Sequence, residues 1–256
     1  MATRPPAREF YTLSRAQKLF VVCSGIFITA LVVAEATASK FFTLVDLPFS
    51  INILGMEFET VIMTAGVIAF PVTFIVTDLL NEYYGKKGIR FVTYVGLAMI
   101  VFEFAILQVA MAVPTASISP VPDEAFNVVF GASGRIIFGS LVAYLVGQLL
   151  DITVFHWLRG LTQGRFLWLR ATGSTVGSQF LDTLIVLLVA FVGQLAIQEI
   201  VAITIFNYAY KFVIAVAITP VIYAAHWAMD RYLGQELAEA LIRQAEHPEQ
   251  VPVNAA

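Results

Sequence analysis

Six stretches of this chain stay apolar for about 20 residues each, the length at which a helix crosses the hydrocarbon core of a bilayer. They run over residues 17–38, 60–80, 90–112, 134–157, 171–196 and 200–224. None carries the continuous polar face of a surface helix in a small soluble domain. A backbone inside lipid must satisfy its own hydrogen bonds, which leaves helices or a closed barrel. Runs this long and uniform are helical. Charge agrees: 13% of the 256 residues are charged, where soluble domains carry about 25%. The fold class expected is therefore an all-α integral membrane protein with six transmembrane helices. Residues 1–230 form the transmembrane domain. Residues 231–256 form a tail whose segment 235–246 has the pattern of a short amphipathic helix.

The basic residues orient the spans. Arg4, Arg8, Arg15 and Lys18 precede the first; Lys86, Lys87 and Arg90 follow the second; Arg159, Arg165 and Arg170 lie between the fourth and fifth; Arg231 and Arg243 follow the sixth. The opposite side carries Asp46, Glu57, Glu59, Asp123, Glu124 and Glu199, with Lys40 as its cation. By the positive-inside rule both termini are cytoplasmic. The first span also resembles a secretory signal, with Ala34-Glu35-Ala36-Thr37-Ala38 as an A-x-A site. Its apolar run is long for a signal, so it is read as a span. A net charge of −3 gives no basis for binding nucleic acid. The single cysteine, Cys23, cannot form an internal disulfide and reads as a small apolar residue.

Residues 41–59 alternate apolar and polar side chains and are expected to form a hairpin or re-entrant cap on the outer face. Residues 113–126 hold Pro114, Pro120 and Pro122 and read as an irregular outer loop. Phe70-Pro71 and Thr219-Pro220 are expected to kink the second and sixth spans.

Polar residues inside the spans carry the functional information. Gln148-Leu149-Leu150-Asp151 and Gln179-Phe180-Leu181-Asp182 repeat one pattern on consecutive spans. The midpoint between Asp151 and Asp182 falls between Phe166 and Leu167, in the basic loop, so the two aspartates lie at similar depth. Tyr144, Gln148 and Asp151 share one helical stripe, as do Thr175, Gln179 and Asp182. The sixth span has Thr204, Asn207 and Lys211; the third has Glu103; the second ends with Asp78, Asn81 and Glu82; the fourth begins with Arg135. A charge at a span centre costs about 2.5–3.5 kcal/mol on insertion scales. Glu103, Asp151, Asp182 and Lys211 facing lipid would together cost on the order of 10 kcal/mol, comparable with the whole stability of a domain. They must face one another or water. One reading is a structural clamp in which Lys211 pairs with Asp182 or Asp151. The other is a polar cavity between spans four, five and six that takes a small solute with several hydrogen-bonding edges.

Other residues have blander readings. Asp78 and Glu82 are either interfacial, close to Lys86 and Lys87, or functional. Ala30, Ala34 and Ala38 form a small-xxx-small stripe that favours close helix packing. Glu35, near the outer end of the first span, reads as solvated. His156, His226 and His247 lack metal-ligand spacing. No metal or cofactor is expected.

Several motifs together resemble a known family. Thr77-Asp78-Leu79-Leu80-Asn81-Glu82-Tyr83-Tyr84-Gly85-Lys86-Lys87 is similar to its signature after span two. Leu167-Trp168-Leu169-Arg170, Ser174-Thr175 and Ser178-Gln179-Phe180-Leu181-Asp182-Thr183 are similar to its span-five motif; Gly147-Gln148 through Asp151, and Asn207-Tyr208 with Lys211, also fit. The family is the queuosine precursor transporters, also called the vitamin uptake transporter family, and the resemblance runs from about residue 65 to 225. Glu35 departs from the uncharged residue expected at its position. The resemblance implies import of 7-deazaguanine bases across the bacterial inner membrane, and a fold similar to the substrate-binding subunits of energy-coupling-factor transporters. Asp182 and Gln179 would then read the base edge, with Gln148, Asp151 and Asn207 lining the same cavity. Lys211 would balance the aspartate charge. Tyr144, Tyr208 and Phe180 would be stacking candidates, and Asp78, Asn81 and Glu82 an inner gate. The partners implied are the small-molecule base and the lipid bilayer, with a homodimer as the further partner considered.

No G-x-x-x-x-G-K-[ST] phosphate loop occurs, so nucleotide hydrolysis by this chain is not expected. Glu103, Asp151 or Asp182 are the groups able to carry a coupled proton; facilitated diffusion with metabolic trapping is the other route. Two rival functions fit the same polar residues. One is an intramembrane enzyme whose paired aspartates share a proton, although no HExxH or G-x-S-x-G motif is present. The other is a binding subunit dependent on an external ATP-driven module, with the alanine stripe as its docking face.

Overall fold

The apolar runs become helices, and the segment between the first two becomes a hairpin. The computed structural model describes residues 12–131, 134–163, 166–193 and 195–246. Helix α1 (Arg15–Thr37) is followed by strands β1 (Phe41–Ile53) and β2 (Met56–Thr64), a 3-10 turn (Ala65–Ala69), α2 (Phe70–Ala112), α3 (Asp123–Phe130), α4 (Gly134–Thr162), α5 (Leu167–Phe191), α6 (Ile197–Ala217), α7 (Thr219–Leu233) and α8 (Gln235–Glu246). Among the described residues four helical stretches are long and apolar enough to cross a membrane: Arg15–Thr37, Ala65–Ala112, Leu141–Thr162 and Ile197–Ala217. A shorter apolar stretch, Gln179–Val189, lies in α5. Large apolar side chains such as Val21, Phe91, Phe102, Val109 and Trp227 are exposed, while Asp78, Asn81, Glu82, Asp151, Arg159 and Asn207 are buried. That distribution is the reverse of a water-soluble domain and is the one a multi-pass membrane protein requires. Of the basic residues expected at the inner ends, Arg4, Arg8 and Arg165 lie outside the described residues, as do the side chains of Arg135, Arg170 and Thr175. His247 lies outside them too.

The hairpin differs from expectation in its extent. Residues 60–64, assigned to the second span, instead complete β2, whose antiparallel register with β1 runs from Phe41↔Thr64 to Ile53↔Met56. Thr60, Val61, Ile62 and Thr64 are β-branched and favour the pleated strand over the helix. Leu54 and Gly55 both take positive φ (51° and 87°), the geometry of a two-residue hairpin turn. The Gly55 amide donates to Asn52 Oδ1 at 3.1 Å. Pro48 lies within the register irregularity between Asp46 and Ile51, where a missing donor breaks no ladder bond. The expected outer loop also gains structure: Pro122 precedes α3, whose first turn holds Asp123 and Glu124, acidic residues that suit a helix N-terminus.

The two prolines act differently from each other. Pro71 stands in the first turn of α2, where its missing N–H costs nothing, so it opens the helix and does not kink it. Pro220 stands in the first turn of α7, and the expected kink is a one-residue interruption at Ile218 between α6 and α7. The second and third expected spans are joined without a loop. At 43 residues α2 would measure about 65 Å if straight, at 1.5 Å per residue, twice the membrane core. Gly85 breaks it, with φ 63° and ψ −172°, a region open almost only to glycine.

That elbow organises one end of the molecule. Tyr83, Leu79, Met229, Leu233 and Ala238 form one apolar cluster joining α2, α7 and α8. The Tyr84 hydroxyl donates to the Ala16 carbonyl at 2.7 Å, and Arg15 donates to the Tyr232 carbonyl at 3.4 Å. The start of α1, the elbow and the C-terminal helix thus meet on one face, and the hairpin lies at the other end of α1. A Cβ on Gly85 would lie 3.0–3.1 Å from Cα, Cβ and O of Ala245. Gly85→Ala should therefore lower stability by about 1–3 kcal/mol from backbone strain and displace α8. The expected results are a lower unfolding midpoint in detergent and faster proteolysis after Arg243.

Candidate functional site

The centre of the site is one ammonium in apolar surroundings. Lys211 extends from α6 toward α5 and donates to Gln179 Oε1 at 2.7 Å, Asp182 Oδ2 at 3.0 Å and Thr183 Oγ1 at 3.1 Å. Lysine has three N–H donors and no acceptor, so all three are used. The Phe70 ring centroid lies 5.5 Å from the same nitrogen, within range of a cation–π contact. The pair is largely shielded, with Lys211 and Asp182 side chains 14% and 20% exposed. Of the two acceptors considered in the clamp, Lys211 takes Asp182.

This arrangement orients the amide. Since Lys211 only donates, the atom of Gln179 facing it is the carbonyl oxygen, and the amide NH2 is turned elsewhere. Asp182 then presents a carboxylate acceptor beside an amide donor three residues earlier on α5. Gly147 on α4 makes room for it: a Cβ there would stand 3.0 Å from Asp182 Cβ and 3.1 Å from its Oδ1.

Asp182, Gln179, Thr183 and Lys211 line a cavity of about 210 Å³, together with Tyr144, Gln148, Asp151 and Asn207. Residues of both Gln-x-x-Asp tetrads line this one cavity. Asn207 is buried and its amide donates to the Ile203 carbonyl at 2.8 Å. Thr204, on the same stripe, is also buried and donates to the Ile200 carbonyl at 2.8 Å. The Tyr144 hydroxyl donates to the Thr93 carbonyl at 3.3 Å, over Gly96, where a Cβ would stand 2.7 Å from that oxygen.

The cavity is wider than spans four, five and six. Its other wall is Phe27, Leu31, Ala34, Glu35 and Ala38 of α1, Gly66 of the 3-10 turn, and Phe70, Thr73, Phe74 and Thr77 of α2. The first span thus contributes a wall of the cavity. Its alanine stripe packs inside the chain: a Cβ on Gly66 would lie 2.6 Å from the Ala34 carbonyl oxygen and 3.4 Å from Ala38 Cβ. Glu35, expected in solvent, lines this wall. Phe70 and Phe74 stack in parallel, with centroids 5.9 Å apart and 2° between planes.

Two expected stacking residues point elsewhere. Phe180 is 42% exposed and packs edge-on against Tyr208 at 5.3 Å and 80°; neither lines the cavity. Phe180 is one residue from Gln179, a rotation of about 100° on a helix, which turns it to another face. Glu103 is half-buried outside the cavity, within electrostatic reach of Glu35.

Asp78, Asn81 and Glu82 form a separate buried cluster toward the elbow. Lys86 and Lys87 beside them are exposed, while Asp78, Asn81 and Glu82 are 2%, 0% and 5% exposed. Asp78 Oδ2 meets His226 Nε2 at 2.8 Å. Glu82 meets Arg159 at 3.6 Å, and Arg159 also donates to the Glu82 carbonyl at 3.4 Å. Tyr83 donates to Asp230 Oδ1 at 2.7 Å and stacks on His226 at 5.5 Å. Neither polar atom of the Asn81 side chain is hydrogen-bonded to a described residue. His226 and Arg159 gave no local signal of this role, because their partners lie 148 and 77 positions away.

Comparison with known proteins follows this geometry. The model of a family described as putative vitamin uptake transporter matches residues 64–225. A Bacillus subtilis protein named probable queuosine precursor transporter is 34% identical over 163 residues, 63% of this chain and 71% of that protein. An Escherichia coli protein named queuosine precursor transporter is 33% identical over 159 residues, 58% of this chain and 61% of that protein. A Haemophilus influenzae protein named probable queuosine precursor transporter is 30% identical over 159 residues, covering 60% and 64%. These are names of transporters and not of enzymes. No solved structure matches the chain significantly.

Removing the ammonium leaves Asp182 buried without its cation, which costs about 3 kcal/mol for a largely buried pair. Lys211→Met should lower the unfolding midpoint in detergent. The double variant Lys211→Met/Asp182→Leu should recover most of the loss, since no charge is then stranded.

Proposed function

The chain belongs to the putative vitamin uptake transporter family, and on that premise we propose that it imports queuosine precursors, 7-deazaguanine bases, across the bacterial inner membrane through this cavity. The observation that carries the reading is the committed Lys211, which leaves Asp182 and Gln179 as a fixed acceptor–donor pair on one cavity wall. A deazaguanine offers neighbouring N–H donors and a carbonyl along one edge. Asp182 accepts from the N–H groups, a charge-assisted contact, and the Gln179 NH2 donates to the carbonyl. Gln148, Asp151 and Asn207 complete the polar wall. Aromatic faces for the ring come from Tyr144, Phe70 and Phe74, in place of Phe180 and Tyr208.

The chain crosses the membrane six times in this reading, the two halves of α2 counting separately, with both termini inside. The gathering of the α1 start, the elbow and α8 on one face supports it, since all three carry the basic residues assigned to the cytoplasm. Asp78, Asn81 and Glu82, with His226 and Arg159, form the inner gate. A fully buried amide with no partner is costly; a rearranged state of the helices, or water admitted on opening, relieves that cost.

A strain unable to make or import queuosine precursors, supplied with such a base and expressing this chain, should regain queuosine in its tRNA. Failure with every precursor, despite confirmed membrane insertion, overturns the assignment. The Lys211→Met/Asp182→Leu variant should be present as folded protein yet yield at least about tenfold less queuosine, the equivalent of one lost charge-assisted bond. Normal queuosine in that variant would return the pair to a clamp. For the gate, Asn81→Leu should keep or raise the unfolding midpoint while slowing uptake. Lower stability with unchanged uptake per folded molecule would remove Asn81 from the gate.

A further inference from the structure

The elbow in α2 leaves a recess of about 370 Å³ beside α8, lined by Tyr83, Tyr84, Lys86 and Lys87 on one side and Leu241 and Gln244 on the other. Its described lining holds two ammonium groups and no carboxylate. Both lysines are exposed, and neither has an ion-pair or hydrogen-bond partner among the described residues. Arg90 follows Lys86 by one turn on the same helical stripe, and its Nε has no acceptor among the described residues. On α8, Glu239 is already paired with Arg243 at 3.4 Å. Unpaired cations facing one recess draw an anion into it.

The surroundings favour a lipid as that anion. Lys87, Phe91 and Tyr94 are spaced i, i+4, i+7, which stacks them on one stripe of α2. Phe91 and Tyr94 are exposed, so apolar surface begins one turn beyond the lysines. Trp227 and Tyr232 of α7 are exposed at the same end of the molecule, and such aromatics mark a membrane–water interface. A soluble anion matches the lysines alone. A lipid matches the lysines with its phosphate and the stripe above them with its hydrocarbon chain. We propose that the recess binds an anionic phospholipid, with Lys86 and Lys87 donating to its phosphate and the Gln244 amide donating from α8. Since α8 packs on Gly85 and shares an apolar cluster with Tyr83, a lipid bridging the two sides holds α8 against the elbow. The proposal is independent of what the central cavity carries.

The test is native mass spectrometry of the full chain released from nanodiscs of phosphatidylglycerol and phosphatidylcholine in equal parts. The retained lipids are read as a ratio, so that the amount of folded protein cancels. The wild-type chain should retain phosphatidylglycerol over phosphatidylcholine by about tenfold or more, the scale of two lysines meeting an anionic lipid. Lys86→Gln/Lys87→Gln should bring the ratio close to one, and Lys86→Arg/Lys87→Arg should keep it. Tryptic cleavage after Arg243 should be slower with phosphatidylglycerol present than in phosphatidylcholine alone, and Lys86→Gln/Lys87→Gln should abolish that difference. Lys18→Gln/Arg231→Gln removes two exposed cations of the same end from outside the recess and should leave the ratio unchanged. An equal fall in that variant makes the attraction general to the interface and overturns the site, as does a wild-type ratio near one. If inorganic phosphate protects Arg243 in phosphatidylcholine nanodiscs as well as phosphatidylglycerol does, the recess belongs to a soluble anion and the lipid proposal falls.

Discussion

Everything at the centre of this protein is arranged around a single ammonium that cannot be left alone. Lys211 projects from α6 into a region where an unpaired charge costs several kcal/mol, and three acceptors on α5 close around it. This ties α5 to α6 and sets which way the Gln179 amide turns. It also requires α4 to approach closely, which Gly147 allows by presenting no side chain where Asp182 stands. The Phe70 ring beside the ammonium then connects the cluster to the start of α2, where Pro71 has already set the helix entry. Four helices are positioned by one side chain's need for partners.

Polar groups are divided into two layers by this packing. The cavity layer holds Gln148, Asp151, Gln179, Asp182, Asn207 and Lys211 among apolar and aromatic walls. The layer nearer the elbow is tighter and is built from pairs: Asp78 with His226, Glu82 with Arg159, Tyr83 with Asp230. Thr77 links them, since it lines the cavity and its neighbour Asp78 belongs to the lower cluster. The tighter layer is braced from outside by α8, which lies against the elbow at Gly85 and shares an apolar cluster with Tyr83.

The charges of the two layers differ in consequence. In the lower layer acidic and basic groups meet as partners, so little field extends from it. In the cavity the one cation in the described lining, Lys211, is committed to Asp182.

Membrane residence, helical class and the depth match of the two tetrads were legible in the sequence, because apolar length and helical period act locally and the cost of charge in lipid is large. The same cost made Lys211 a partner for an aspartate before any coordinate was known. Tertiary packing alone decided which aspartate it would be, and it turned Phe180 and Tyr208 away from the cavity on helix faces that spacing could not rank. It also joined Asp78 to His226 and Glu82 to Arg159, and brought Glu35 inside. Each of these depends on how helices distant in sequence rotate against one another, and that rotation is set by close contacts at glycines such as Gly66, Gly96 and Gly147, which a linear pattern of apolar and polar residues does not encode.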